Sequence, residues 1–198
     1  MRVLLINGSP RAKGNTSIAL AEVAKTLEAE GIETVTLSIG AQAIRGCVAC
    51  GACHTKKGKC AFSDPLYDQL QAILPEGVDG LVVGSPVYYA GPNGSLCALL
   101  DRLFYSAGAM LSYKPAAAVA VCRRGGASAC FDRLNKYLPS TICLLFPHNI
   151  GIVCTDGRRG KQSKMPRACK PCVPWREIWH GCSVIWIKNN VQRVKNPK

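Results

Sequence analysis

No stretch of this chain holds the run of about 18 apolar residues that a membrane-spanning helix requires, which excludes a helical span. The N-terminal "MRVLLINGSP" has too short an apolar run for a secretion signal and no small-residue cleavage site behind it, which points to a cytoplasmic protein. Internal repeats and low-complexity tracts are missing too, so neither a solenoid nor a disordered linker is expected. Acidic residues are scarce: 12 Asp and Glu stand against 25 Lys and Arg, a formal charge of +13. Such an excess suits nucleic acid or an anionic surface, but its placement argues otherwise. Residues 1–137 carry 14 basic and 10 acidic side chains, whereas 138–198 carry 11 and 2. The surplus belongs to the tail, and a nucleic-acid-binding module built on that tail is the weaker functional reading.

What is present is enough for one domain, or one domain and an extension, with a real core across 198 residues. Twelve cysteines would mean disulfides in an exported chain. Without an export signal, clustered thiols point to metal or redox use instead. Cys47, Cys50, Cys53, Cys60, Cys97, Cys122 and Cys130 lie in the first part, and the other five are scattered through the tail with all three tryptophans.

"RVLLING" is a short continuous apolar run, the pattern of a strand buried on both faces of a parallel sheet. "TSIALAEVAKTLEAEG" then places Ile18, Leu20, Ala21, Ala24 and Leu27 near helical spacing and stops at Gly31. "ETVTLSI" is a second strand, completing a βαβ unit. A cysteine-rich excursion over 40–63 precedes a helix at 64–74, the strand "DGLVVGSPVYY" and the helix "GSLCALLDRLFYSAG" with Leu96, Leu99, Leu100 and Leu103 on one face. "KPAAAVAVC" and "ASACFDRLNKY" add a fourth strand and helix. Four strands alternating with helices predict a doubly wound α/β fold on a parallel sheet.

In such sheets ligands sit beyond the carboxyl ends of the strands. The loop after the first strand, "GSPRAKGNTS", joins hydroxyl side chains, an arginine and a glycine to a helix start, where backbone N–H groups and the helix dipole favour an anion. It is neither GxxxxGK nor GxGxxG, and the missing lysine after Gly14 disfavours a P-loop hydrolase. The competing interpretation is a plain helix cap by Asn15 or Thr16. The loop after the third strand, "GSPVYYAGPNGS", offers aromatic edges and close backbone approach, suited to a flat conjugated ring; alone it is equally a Gly-Pro turn with surface tyrosines. After the fourth strand, "CRRGGAS" supplies backbone amides and adjacent arginines, or else a solvated charge pair before a helix.

Three such loops in this order resemble the NAD(P)H-dependent FMN reductase branch of the flavodoxin-like superfamily, and the resemblance covers 1–137. It implies the strand order 2-1-3-4-(5), and FMN as cofactor. Ser9, Arg11, Asn15, Thr16 and Ser17 would hold the FMN phosphate. Pro86, Val87, Tyr88, Tyr89 and Asn93 would line the flavin ring, with Arg123, Arg124, Gly125 and Gly126 on its other side. NAD(P)H would be the co-substrate, a small molecule the electron acceptor, and a homodimer the usual assembly. The flavin carries the chemistry in that family, so no side-chain acid or base is expected.

"GCVACGACHTKKGKC" sets Cys47, Cys50, Cys53 and Cys60 within a span able to wrap one [4Fe-4S] cube. It looks like the compact motif of iron-sulfur flavoproteins of the same superfamily, electron carriers in place of nicotinamide-consuming enzymes. Zinc satisfies four thiolates equally well, and a redox-active or structural loop needs no metal. His54 inside the loop is expected to face solvent, and Cys97, Cys122 and Cys130 to be small buried residues.

The last residues, 138–198, break the alternation. Displacing the reading frame so that each codon takes the third base of one residue and the first two of the next turns "ICLLFPHNIGIVCT", from Ile142, into "MPVVSPQYWNSVHG", and "PRACKPCVPWREIWHGCS", from Pro166, into "EGLQTMRTLARNMAWLL". These resemble the family's fifth strand and closing helix. One missing base near Leu138 would account for both; the other interpretation is a natural basic extension with "CKPC" as a metal knuckle. The displaced frame predicts a poorly ordered tail from about Pro139, a weakened flavin site and a fourth strand left as a sheet edge.

Overall fold

The computed structural model describes residues 1–56 and 58–138, together with the backbone of 144–145 and 152–155. The first strand, β1 (Arg2–Asn7), runs into α1 (Asn15–Ala29) and β2 (Glu33–Ser38). The cysteine excursion contains only the short α2 (Ala52–Thr55) before α3 (Pro65–Ile73), whose Asp64 cap accepts from the Tyr67 N–H at 2.9 Å with Pro65 in the first turn. Then come β3 (Gly80–Pro86), α4 (Gly94–Ala107), β4 (Pro115–Cys122), α5 (Ala127–Tyr137), β5 (Leu144–Leu145) and β6 (Ile152–Thr155).

All strands pair in parallel, in the order β2-β1-β3-β4-β5, with β6 also on β4. This is the expected doubly wound sheet. Alternation along β1 explains its two layers: Val3 and Leu5 turn to α1, whereas Leu4 and Ile6 turn to the side of α3, α4 and α5. On the α1 side the buried stripe is Ala19, Leu20, Val23 and Leu27, packed on Val82, Val119 and Val121. Ile18, Ala21 and Ala24, expected in that stripe, sit at its margin or in solvent because the helix is turned toward Val23. On the other side α4 buries Leu96, Leu99, Leu100 and Leu103 as its spacing predicts, each contributing about 1.5–3 kcal/mol.

The expectation that β4 would be left as an edge is corrected. Its far side pairs with β5 through Pro115–Leu144 and Ala116–Leu145, and with β6 from Val119–Ile152 to Cys122–Thr155. Open backbone N–H and C=O groups accept an extended segment whatever its origin, and "IVCT" is rich in β-branched residues. The fifth position is filled by two pieces instead of one strand. Pro147 falls between them in sequence and has no N–H to give to a ladder. The expectation of a poorly ordered tail from Pro139 lies outside the described residues.

Candidate functional site

The three loops chosen from sequence meet at the carboxyl edge of β1, β3 and β4. Asn7, buried at the end of β1, organises the first: its Oδ1 accepts the Ser9 N–H at 3.1 Å and its Nδ2 donates to Ser17 Oγ at 2.9 Å. Ser9 Oγ accepts the Arg11 N–H at 3.2 Å, and Ser17 Oγ donates to the Arg11 carbonyl at 3.3 Å. Asn7 was not singled out from sequence; an asparagine closing an apolar strand before Gly-Ser was its signal. The N-cap position of α1 is Gly14, with no side-chain cap bond, so neither Asn15 nor Thr16 acts as a plain cap. Thr16 is buried, and Asn15 Oδ1 is a buried oxygen without a partner. Uncapped N–H groups, the positive end of the helix dipole and a carboxamide awaiting a partner form an anion cradle, flanked by exposed Arg11 and Lys13.

The second loop is tied to the first. Gly8 donates its N–H to the Gly84 carbonyl at 2.7 Å, and a side chain at Gly8 would meet Leu96 at 2.5 Å, so only glycine allows this approach. Asn93, buried at the start of α4, caps it by accepting the Ser95 N–H at 3.1 Å and donates Nδ2 to the Gly8 carbonyl at 2.8 Å. Ser85 Oγ accepts the Asn93 N–H at 3.0 Å. Tyr88 and Gly91 exchange backbone bonds of 2.8 and 2.9 Å around Tyr89 (φ 50°) and Ala90 (φ 61°). That is a type I′ hairpin turn, a geometry which favours Asn-Gly and here strains two ordinary residues. Tyr88 and Tyr89 are both exposed, as the surface-tyrosine alternative required, while Pro86 and Val87 are half-buried beneath them.

The third loop presses on this turn. Gly126 has φ +83°, and a Cβ there would stand 2.8 Å from Ala90 Cα. The Val87 N–H donates to the Val121 carbonyl at 2.9 Å, closing the link between loops. Gly126 also occupies the N-cap position of α5 without a side-chain bond, which leaves a second uncapped helix start beside exposed Arg123, Arg124 and Gly125. Across 8–17, 84–95 and 122–128 there are four cations and no acid. The edge is therefore positive throughout and fits an anionic, ring-bearing nucleotide.

Cys47, Cys50, Cys53 and Cys60 line a single pocket with Phe62, Arg102, Tyr105 and Ser106. Cys47 and Cys50 are exposed and Cys53 and Cys60 half-buried. Among the described residues no three His, Cys, Asp or Glu side chains are gathered as metal-ion ligands. The donor set has the chemistry of a thiolate centre, and its sulfurs stand on one wall without converging. His54 is exposed and edge-on to Tyr105 at 6.0 Å, as expected of a solvent-facing residue. Cys122 and Cys130 are buried, Cys97 only half so. Burial, with Cys97 and Cys122 nearby, pushes the Cys130 thiol up to about 12, and burial also raises Cys97, which keeps both neutral. The residue that sequence reasoning missed is Arg102, fully buried against the cysteine pocket; its signal was an arginine three positions after Leu99, next to an apolar stripe.

A doubly wound parallel sheet with an anion cradle after β1 and flat-ring loops after β3 and β4 defines a flavodoxin-like nucleotide-binding protein. The family profile described as NADPH-dependent FMN reductase matches residues 1–141, and the chain belongs to that family of flavin oxidoreductases. An iron-sulfur flavoprotein of Methanocaldococcus jannaschii is 34% identical over 142 residues, 69% of this chain and 71% of that one. An NADPH-dependent FMN reductase of Pseudomonas putida is 31% identical over 103 residues, 52% of this chain and 47% of the relative, so that match spans about half of the relative's length. Among solved structures, an NAD(P)H:acceptor oxidoreductase flavoenzyme of Paracoccus denitrificans shares the fold with a TM-score of 0.63 at 17% identity, covering 95% of this chain and 97% of that one. Among the described residues no helix is long and apolar enough to cross a membrane.

Proposed function

We propose that this chain binds FMN at the joined loops and uses it to move electrons from NADH or NADPH to a small acceptor, in the cytoplasm and as a homodimer. The observation that carries this reading is the uncapped start of α1 with the unpartnered Asn15 Oδ1 beside buried Ser9 and Thr16, a cradle the fold leaves open. Asparagine oxygen and nitrogen are told apart only through their partners, so a turn of the Asn15 carboxamide presents an N–H to a phosphate. Ser9, Thr16 and Ser17 add hydroxyls, and Arg11 neutralises charge from the solvent side. Pro86, Val87, Tyr88, Tyr89 and Asn93 are the wall for the ring, with Gly125 and Gly126 letting the backbone approach and Arg123 and Arg124 favouring added negative charge there. FMN, when bound, supplies the hydride-accepting and electron-releasing chemistry. The protein's part is to position it, keep water off its buried edge and set the charge around it.

The absorption spectrum of the purified protein tests this directly. Flavin bands with about one FMN per chain, bleached by NADH or NADPH, are expected; a colourless chain that takes up no FMN on titration refutes the reading.

A second function is favoured by one observation: four cysteines line one pocket. Cys47, Cys50, Cys53 and Cys60 would hold a [4Fe-4S] centre, making the chain an electron carrier, like the relatives called iron-sulfur flavoproteins. Iron and acid-labile sulfide in anaerobically purified protein support it, and zinc or no metal at all argues for the flavin reductase alone.

A further inference from the structure

Arg102 is 1% exposed and is the largest fully buried side chain in the described core. It lies mid-helix in α4, where a charge finds no water, so its partners must explain it. They belong to the two ends of one loop. Nη1 donates to the Arg45 carbonyl at 3.4 Å, two residues before Cys47, and Nη2 donates to the Phe62 carbonyl, two residues after Cys60. Nη1 also pairs with the Asp64 carboxylate that caps α3, and the guanidinium lies over the Tyr67 ring, 3.8 Å from its centroid. The Tyr67 hydroxyl donates to the Arg102 carbonyl at 3.2 Å and shares a hydrogen with Ser106, so the residue's backbone is held as well. One donor is left over: Nε is buried and unpartnered, and Arg102 forms part of the wall of the cysteine pocket. Among the groups that act on the guanidinium, Cys60 stands with Asp64.

A fork with fixed spacing suits this task and an ammonium does not. One planar group reaches the carbonyls flanking the cysteines and a carboxylate, and keeps a full positive charge behind the thiols. Nothing in FMN binding requires it: the three flavin-edge loops are tied by Asn93, Gly84 and Val121.

We propose that Arg102 is the positioning residue of the cysteine pocket, clamping both ends of the Cys47–Cys60 loop onto α4 and standing as the fixed countercharge to a thiolate-ligated centre held there. The countercharge rests on the iron-sulfur reading of the loop; the clamp does not.

The test uses the full chain with Arg102→Met, Arg102→Lys and Asp64→Asn. In the metal-free proteins hydrogen exchange is followed by peptide. The clamp predicts that amides of 46–62 exchange about tenfold faster in Arg102→Met, and somewhat less so in Asp64→Asn, while β1 and β3 keep their rates. Unchanged exchange at 46–62 in both variants rejects it, as does an equal acceleration throughout the sheet. The proteins are then loaded with ferrous iron and sulfide, and the midpoint potential is read. Arg102→Lys, which keeps the charge, should retain the wild-type potential, and Arg102→Met should lower it by about 59 mV, tenfold in the one-electron equilibrium. A centre that assembles on all three with one potential overturns the countercharge. Failure of the wild type to assemble a centre overturns it together with the iron-sulfur reading, and is told apart by that wild-type failure.

Discussion

Replacing Gly126 by alanine should damage the flavin edge in a way that replacing its neighbour Gly125 does not. The two glycines are adjacent in sequence and were assigned the same role, but their surroundings differ. Gly126 has φ +83°, and an added Cβ would lie 2.8 Å from Ala90 Cα, 3.0 Å from Ala90 Cβ and 3.3 Å from Ala90 N. Ordinary carbon contacts begin near 3.5 Å, so the turn or the loop must move by several tenths of an ångström. The obstacle is backbone, and it belongs to a turn already strained at Tyr89 and Ala90. Left-handed backbone costs an alanine about 1–2 kcal/mol before any displacement, which at about 2–4 °C per kcal/mol lowers Tm by about 2–8 °C. Displacing the contact between the two ring-facing loops should weaken FMN by about tenfold, or 1.4 kcal/mol. At Gly125 nothing lies within 4 Å of the added Cβ, and Gly125→Ala should stay within about 0.5 kcal/mol of the wild type. Thermal denaturation of the apoprotein and a fluorescence titration with FMN measure both quantities. If the two variants behave alike, the contact between Gly126 and the Tyr88–Gly91 turn does not shape the site.

Asn93→Ala removes the cap of α4 and the donor to the Gly8 carbonyl; a loss of about 2–4 kcal/mol is expected in urea denaturation, with Asn93→Asp, which keeps the cap, losing roughly half. The Cys130 thiol is neutral in the folded chain up to about pH 12, so its burial contributes fully below the ordinary thiol range near 9 and is lost as pH rises from there toward 12. Between those values the wild type should lose stability more steeply than Cys130→Ala by about 1.4 kcal/mol per pH unit, and parallel slopes would contradict the assignment. Gene sequencing decides the displaced frame: the Ile142 codon must end in A and the Cys169 codon in C, and any other base at either place ends that explanation.

The sheet was legible because its strands are buried on both faces. "RVLLIN" and "GLVVGSP" carry their own signal, independent of what packs on them. The loops were legible for the same reason, since the ends of such strands are where ligands bind. The α1 stripe was only half legible, because an alanine-rich helix has several stripes of nearly equal hydrophobicity and the sheet, not the helix, chooses among them. The split fifth position could not be read from residues 144–155, because its pairing is dictated by an open edge and not by the incoming text. Arg102 escaped notice because its partners are carbonyls, which leave no mark in a sequence.

One helix carries both ends of the proposed chemistry. Asn93 holds the flavin-edge loops at the start of α4, and Arg102 holds the cysteine loop nine residues on, about 14 Å along the axis at 1.5 Å per residue. The helix is thus a ruler between two cofactor sites, and its length is not free to drift. Inserting or deleting a single residue between them would swing Arg102 by about 100° around the axis, away from Arg45, Phe62 and Asp64 and out of the pocket wall. Loops on this fold can lengthen without consequence for that spacing, but the interval from 93 to 102 can change only in composition.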